Sequence, residues 1–228
     1  MDIFLSMKLK IIAGISSLFV LFGGVIGVQK FISTQITSKV QQEMPSASGV
    51  SASIPLVDVP NNLISDSIKS ADINIKSLAL KESGTRTSLN IAASSISKAK
   101  PTLIGSLEVT ATIPASTIIK SSEFNDAKIV GNTLQVAAGS GGLGTAILIP
   151  KFSKNKLYFE LQSVSIFGNE IPASSLPGDL KNQTKSQSTR SLTPPKGLKV
   201  NSVSLSNKGL SVKMRGSNIQ LGNLGSGF

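Results

Sequence analysis

The sequence predicts an α+β fold: one hydrophobic N-terminal helix, then a mostly antiparallel, β-rich domain with a few helices. Three observations predict it. Residues 11–28 form an uncharged apolar run. From about Ala71 onward, apolar and polar residues alternate in short runs. Turn-forming Gly and Asn residues separate those runs, the pattern of strands with one buried face.

Ile11–Val28 reads IIAGISSLFVLFGGVIGV, 18 residues without charge or Pro. At ~1.5 Å per residue it just spans a ~30 Å hydrocarbon core. Lys8 and Lys10 precede it, which favours a cytoplasmic N-terminus over residues 1–10 and a translocated remainder. Two readings stand: a transmembrane anchor at 11–28 (an uncleaved signal), or a signal peptide cut near Gly23–Gly27. The run is long for a signal, has no clean small-x-small site, and lacks the Cys of a lipoprotein. The expectation is therefore a single-pass cell-membrane protein with an extracytoplasmic C-terminal domain.

Phe31, Ile32, Ile36, Val40 and Met44 keep helical spacing, so residues 29–48 are expected as a helical stalk ended by Pro45 and Ser46–Gly49. Residues 49–221 form the expected domain, and 222–228 a flexible tail. Strand signals are Ile73/Ile75, Leu78/Leu80, Leu89/Ile91, Leu107/Val109/Ala111/Ile113, Leu134/Val136, Ile147/Ile149, Leu157/Phe159/Leu161, Val164/Ile166, Leu198/Val200, Val203/Leu205 and Leu210/Val212/Met214. Turns are expected at Gly131-Asn132, Gly139–Gly144, Gly168-Asn169 and Asn207–Gly209. Short helices are expected at Val59–Ser70 and at Pro114–Phe124, where Ile118 and Ile119 would face inward. Ile171–Leu192 starts as a short helix and becomes the polar stretch Lys181–Ser188, a solvated helix or loop.

Composition removes most chemistry. The 228 residues include no Cys, His or Trp and a single tyrosine, Tyr158. A thiol nucleophile, an imidazole base and the dominant ligands of zinc, copper, haem and iron–sulfur sites are absent. With no Trp and one Tyr, the aromatic platforms on which nucleic acid bases stack are nearly ruled out. The acidic residues are scattered singly. These facts predict a non-enzymatic protein without cofactor or nucleic acid partner.

The net charge is +11, and Asp179 is the last acidic residue. Lys181, Lys185, Arg190, Lys196, Lys199, Lys208, Lys213 and Arg215 all follow it. This stretch reads either as a solvated surface or as an attractor of anionic headgroups, worth ~1 kcal/mol per basic side chain near a membrane.

Two formal motifs carry no chemistry. Gly139–Gly144 fits G-x-G-x-x-G, but the strand-like Thr145–Pro150 follows it where a dinucleotide site needs a helix, so it reads as a hairpin turn. Ser95–Lys98 and Ser153–Lys156 fit S-x-x-K, yet neither opens a buried helix nor has the partner motifs of serine–lysine enzymes.

Leu192-Thr193-Pro194-Pro195-Lys196-Gly197-Leu198-Lys199-Val200, then Val203-Ser204-Leu205, Gly209-Leu210-Ser211-Val212 and Gly216, resemble the closing signature of the actinobacterial LmeA-like phospholipid-binding family. The N-terminal hydrophobic helix, Asp58-Val59-Pro60 followed by Leu63, and Thr112-Ile113-Pro114 are similar too. The family often carries aromatic residues around the early Pro, where this chain has Val57–Asn61. The resemblance implies a phospholipid binder of the bacterial envelope with a tubular lipid-binding-like fold, a curved antiparallel sheet wrapping one or more helices around an apolar groove. A role in envelope glycolipid maturation is also implied.

The expected ligand is anionic phospholipid. Its acyl chains would lie against Ile64, Ile68, Leu107, Val109, Ile118, Leu134, Val136, Leu157 and Phe159. Its headgroup would meet Lys196, Lys199, Lys213 and Arg215. For each apolar residue, a place in the ordinary core is the competing expectation. The alternative function is an envelope scaffold or assembly factor that binds polymer or protein.

Overall fold

In a computed structural model the described residues are 34, 37–38, 41–42, 45–55, 66–79, 86–97, 99, 102–121, 126–138 and 144–220. The expected anchor at 11–28, the expected helix from Val59 as far as residue 65, and the expected tail lie outside them. Among the described residues no helix is long and apolar enough to cross a membrane.

Most described residues lie in strands. The strands are β1 (Ala47–Ser53), β2 (Ser67–Ala79), β3 (Arg86–Ser97), β4 (Leu103–Pro114), β5 (Lys128–Val130), β6 (Thr133–Ala138), β7 (Gly144–Ser153), β8 (Lys156–Ile166), β9 (Asn169–Pro172), β10 (Arg190–Ser191), β11 (Lys199–Ser206) and β12 (Gly209–Gln220). Helices α1 (Ala115–Ser121) and α2 (Gly178–Ser188) accompany them. One sheet runs β1-β2-β3-β4-β12-β11, and the other β10-β8-β7-β6-β5 with β9 also on β8. The pairings β1–β2, β2–β3 and β5 through β9 are antiparallel. The chain divides into two compact units: Met1–Ala111, Pro194–Asn201 and Lys213–Phe228 make the first, Thr112–Thr193 and Ser202–Val212 the second.

In the first unit, alternation sets the core. Ile73 and Ile75 of β2 pair with Ile91 and Leu89 of β3, and all four are at most 2% exposed. Leu107 and Val109 of β4 are fully buried. The intervening Asp72, Asn74 and Asn90 are exposed. β1 begins at Ala47, inside the stretch expected as stalk and linker, because its small residues pair with β2 although they give little hydrophobic signal. Thr34, Thr37, Ser38, Gln41 and Gln42 are helical, in line with a helix before Pro45. Ser67–Ser70 are strand, not the expected end of a helix: Ile68 pairs with Ile96 and extends the buried face.

The second unit differs from expectation where both strand faces are apolar. In β7 the fully buried residue is Leu148, while Ile147 and Ile149 are half-buried. In β8 Leu157 and Leu161 are buried as expected, but further along the buried residue is Ser163, whose hydroxyl donates to Glu170 Oε1 at 2.5 Å. Val164 is half-buried and Ile166 is exposed. Runs such as Ala146–Ile149 give no period-2 signal, so the inward set cannot be read from them. Pro114 ends β4 instead of opening the helix, and of the two isoleucines expected to face inward Ile118 is buried and Ile119 is 37% exposed.

The polar stretch Lys181–Ser188 is helical and packs on β8. With no strong apolar stripe, α2 depends on specific contacts. Ser188 Oγ accepts from Phe159 N–H at 2.9 Å and donates to Thr184 O at 2.8 Å. The Lys185 ammonium sits 4.4 Å from the centroid of the Tyr158 ring, a cation–π contact.

Tight turns join the strands. Lys154 and Asn155 both take positive φ between β7 and β8, and Phe167-Gly168 do so between β8 and β9. Gly209 opens β12 at φ +131, and a Cβ there would lie 1.9 Å from Ile113 O. Gly131 also has positive φ, but open space surrounds it. Gly209→Ala should therefore cost roughly 2–4 kcal/mol, strain and overpacking together, and Gly131→Ala only about 1 kcal/mol. Urea unfolding midpoints of the two variants check this; equal costs would contradict the close approach.

Candidate functional site

The residues expected to line an acyl groove divide between the units. Ile68, Leu107 and Val109 belong to the first, and Ile118, Leu134, Val136, Leu157 and Phe159 to the second. All are buried except Phe159, which is half-buried. Ile64 lies outside the described residues. Burial this complete suits a packed core as well as a lipid-filled one.

The four expected headgroup cations all fall in the first unit, where they play two parts. Lys196 and Lys199 are exposed at the turn leading into β11. Lys213 and Arg215, two apart on β12, reach one acceptor that sequence reasoning missed, Glu108 of β4. Lys213 Nζ lies 2.7 Å from Glu108 Oε1, and Arg215 Nε 2.5 Å from Oε2. The hydrogen bond from Lys213, then that from Arg215, hold the Glu108 carboxyl below its ordinary range. The available signal was parity. Lys213 and Arg215 flank the buried Met214, and Glu108 sits between the buried Leu107 and Val109, so all three charges take the outward face.

On that outward face lies a polar groove of about 370 Å³. Its lining comprises Ser51 and Ser53 from β1, Asp72 and Asn74 from β2, Asn90 and Ala92 from β3, and Glu108 and Thr110 from β4, with Ile73 and Ile91 beneath. Register assembles it. Ser51 pairs with Asn74 and Asn74 with Asn90, while Ser53 pairs with Asp72 and Asp72 with Ala92. The short Ala92 side chain leaves the depression open. Asn74 Nδ2 donates to Asn90 Oδ1 at 2.7 Å, which leaves the Asn74 carbonyl free to accept and the Asn90 amide free to donate. Such a surface offers hydrogen bonds of both senses and a locally balanced charge. No group of three metal-ligating side chains converges among the described residues.

Gly139–Gly144 links the antiparallel strands β6 and β7, and Thr145–Pro150 lie in β7, so no helix follows the glycines. Ser153–Lys156 spans the β7–β8 turn, and Ser95 is a strand residue with φ +53.

No family model, curated protein or solved structure matches this chain.

The Glu108 cluster has a defined acid dependence. With its folded pKa depressed below the ordinary ~4.3 of Glu, Glu108 contributes stability that is full above the unfolded pKa and lost as pH falls through the folded one. Glu108→Gln should lower the urea midpoint at pH 7, with the gap to the parent chain closing below about pH 4. A gap unchanged down to pH 2 would exclude the ion cluster as its source.

Proposed function

We propose that this chain is a non-enzymatic, membrane-anchored phospholipid-binding module on the extracytoplasmic side of a bacterial cell membrane, holding acyl chains against an aliphatic sheet surface. One observation supports it most. The buried faces of the long strands β2, β3 and β4 are almost wholly aliphatic, with Ile68, Ile73 and Ile75 in register with Ile96, Ile91 and Leu89, Leu107 and Val109 buried on β4, and Thr87 the polar exception. At ~3.3 Å per residue, the 13 residues of β2 extend further than the ~30 Å hydrocarbon thickness of a bilayer. An acyl chain can lie along such a surface without meeting a charge. Exposed Lys196 and Lys199 in the same unit supply a headgroup with cations, while Lys213 and Arg215 are engaged by Glu108. A curved sheet wrapping a helix, the arrangement implied by the family resemblance, belongs to the same proposal, as does support of envelope glycolipid maturation.

A second reading, an envelope scaffold that binds polymer, is favoured by the groove between Ser51 and Thr110. Its neutral balance of donors and acceptors suits a polar chain better than an acyl one.

Native mass spectrometry with lipid extraction separates the readings. The full chain purified from bacterial membranes should carry stoichiometric phospholipid. A clean apo mass that persists after incubation with anionic vesicles would sink the lipid reading. Leu107→Asp and Val136→Asp assign the lining: loss of bound lipid with β-sheet circular dichroism retained places them in the groove, and unfolding places them in the core.

A further inference from the structure

Phe167 is 80% exposed and sits at φ +52 in the tip of the β8–β9 hairpin. Both facts run against folding. A two-residue turn of this kind favours Asn, Asp or Gly at its first position, because both central residues have positive φ. A bulky residue there is strained, and an exposed aromatic ring gains nothing from burial. The neighbouring Ile166 is also exposed, at 38%. A strained, exposed, apolar tip is an observation from which a function can be argued.

The charge pattern of the same sheet says what the tip meets. The strands are polarised along their length. At one end β7 and β8 meet in the Ser153–Lys156 turn, beside Lys151, Lys154, Lys156 and Glu160. At the other end Gly144 pairs with Ile166, and Ile166 with Asn169. There, Gln135–Ala138 of β6, Gly144–Leu148 of β7 and Leu161–Asn169 contain no charged residue, while Lys128 of the edge strand β5 pairs with Gln135. The outward positions are uncharged as well as the inward ones. The first charge met from the tip is Glu170, which pairs with Ser165, about 7 Å from Phe167 along the strand.

We propose that the β8–β9 hairpin tip, Ile166-Phe167-Gly168, inserts into the interfacial layer of a lipid bilayer. The inference rests on the lipid-binding reading and names the surface that the second unit presents to the membrane. Ile166 pairs with Asn169 across the turn, so the ladder reaches to within two residues of the tip. Glu170 limits the depth to the headgroup and upper acyl region, the ~5–10 Å reached by interfacial elements. A protein partner is less well matched, because protein interfaces carry a polar rim around their apolar centre, and from Leu161 to Pro172 Glu170 is the one charged residue.

The chain contains no Trp, so one substitution installs a reporter. The full chain carrying Phe167→Trp, and separately Asn155→Trp at the charged end, would be reconstituted into phosphatidylcholine–phosphatidylglycerol vesicles with and without brominated acyl chains. The indole at 167 should shift to the blue and lose about half its emission or more to bromine at interfacial depth. The indole at 155 should show neither change. Equal quenching at both positions, or none at 167, overturns the proposal. A blue shift at 167 that bromine does not quench overturns it too, and points to a protein contact.

Phe167→Asn provides the second arm. Because Asn suits the turn, this variant should melt at or above the parent temperature, and, studied with the second reporter Ile166→Trp, it should reduce bromine quenching several-fold relative to Ile166→Trp alone. Unchanged quenching overturns the proposal. Lipid extraction from Phe167→Asn keeps the two readings apart: retained phospholipid with lost insertion is the expected pair. If the parent chain carries no lipid, the lipid-binding reading fails whatever the tip does.

Discussion

A slip of one residue in β2 would exchange Ile73 and Ile75 for Asp72 and Asn74 on the buried face, and one in β3 would exchange Leu89 and Ile91 for Asn90 and Ala92. That register is the constraint on which the first unit depends. Each of the four aliphatic side chains is worth roughly 1.5–3 kcal/mol buried, and each misplaced polar group would add a desolvation cost. The same parity that builds the core builds the groove, since Asp72, Asn74 and Asn90 line it only because their neighbours are buried. Core and groove are therefore two faces of one register, and changes to the outward residues can alter binding chemistry without disturbing packing.

Glu108 extends that order to β12. One carboxylate faces two cations, which leaves the cluster with one net positive charge, or none with Asp72 added. This bears on how the overall charge is used. The chain carries +11, yet Lys213 and Arg215 are held on Glu108, and Lys151 lies 3.9 Å from Glu160. Exposed pairs such as the latter contribute little stability. They do reduce the number of cations available to a partner, and Lys196 and Lys199 remain as the exposed basic positions near the β11 turn.

The sequence made the strand content and the turns legible because alternation and Gly/Asn punctuation are local. β3, β4, β6 and β12 follow their periodic residues closely. It did not reveal β1, whose Ser, Ala and Gly residues carry almost no hydrophobic contrast, nor the inward set of β7, where Ala146–Ile149 are apolar on both faces. The start of β2 was masked by the helical spacing of Leu63, Ile64 and Ile68, which pairing with Ile96 overrides. α2 was ambiguous for a related reason: Lys181–Ser188 has helix-compatible residues but no stripe, and Ser188 and Lys185 hold it by contacts on β8 that no local pattern encodes. At the site, the outward parity of Lys213 and Arg215 was readable. Their convergence on Glu108, 105 and 107 positions earlier, is a product of topology.

Packing alone does not account for the composition of the second sheet. Burial selects apolar residues at inward positions and leaves the outward ones free, and free outward positions normally collect charge. On β7 and β8 that happens near the Ser153–Lys156 turn and nowhere toward the opposite end. There the outward positions are Gly, Ala, Ser, Thr, Gln or aliphatic. Solubility in water would favour the reverse, and so would protection of a hairpin tip against association. A bilayer interface reconciles these facts, because it penalises charge, tolerates small and hydroxyl-bearing side chains, and rewards an aromatic ring at its boundary. The positive φ of Phe167 fits the same account, since a residue chosen only for the turn would be Asn or Gly. Strain at the tip and charge depletion along the strands are independent observations, and the proposed lipid contact accounts for both.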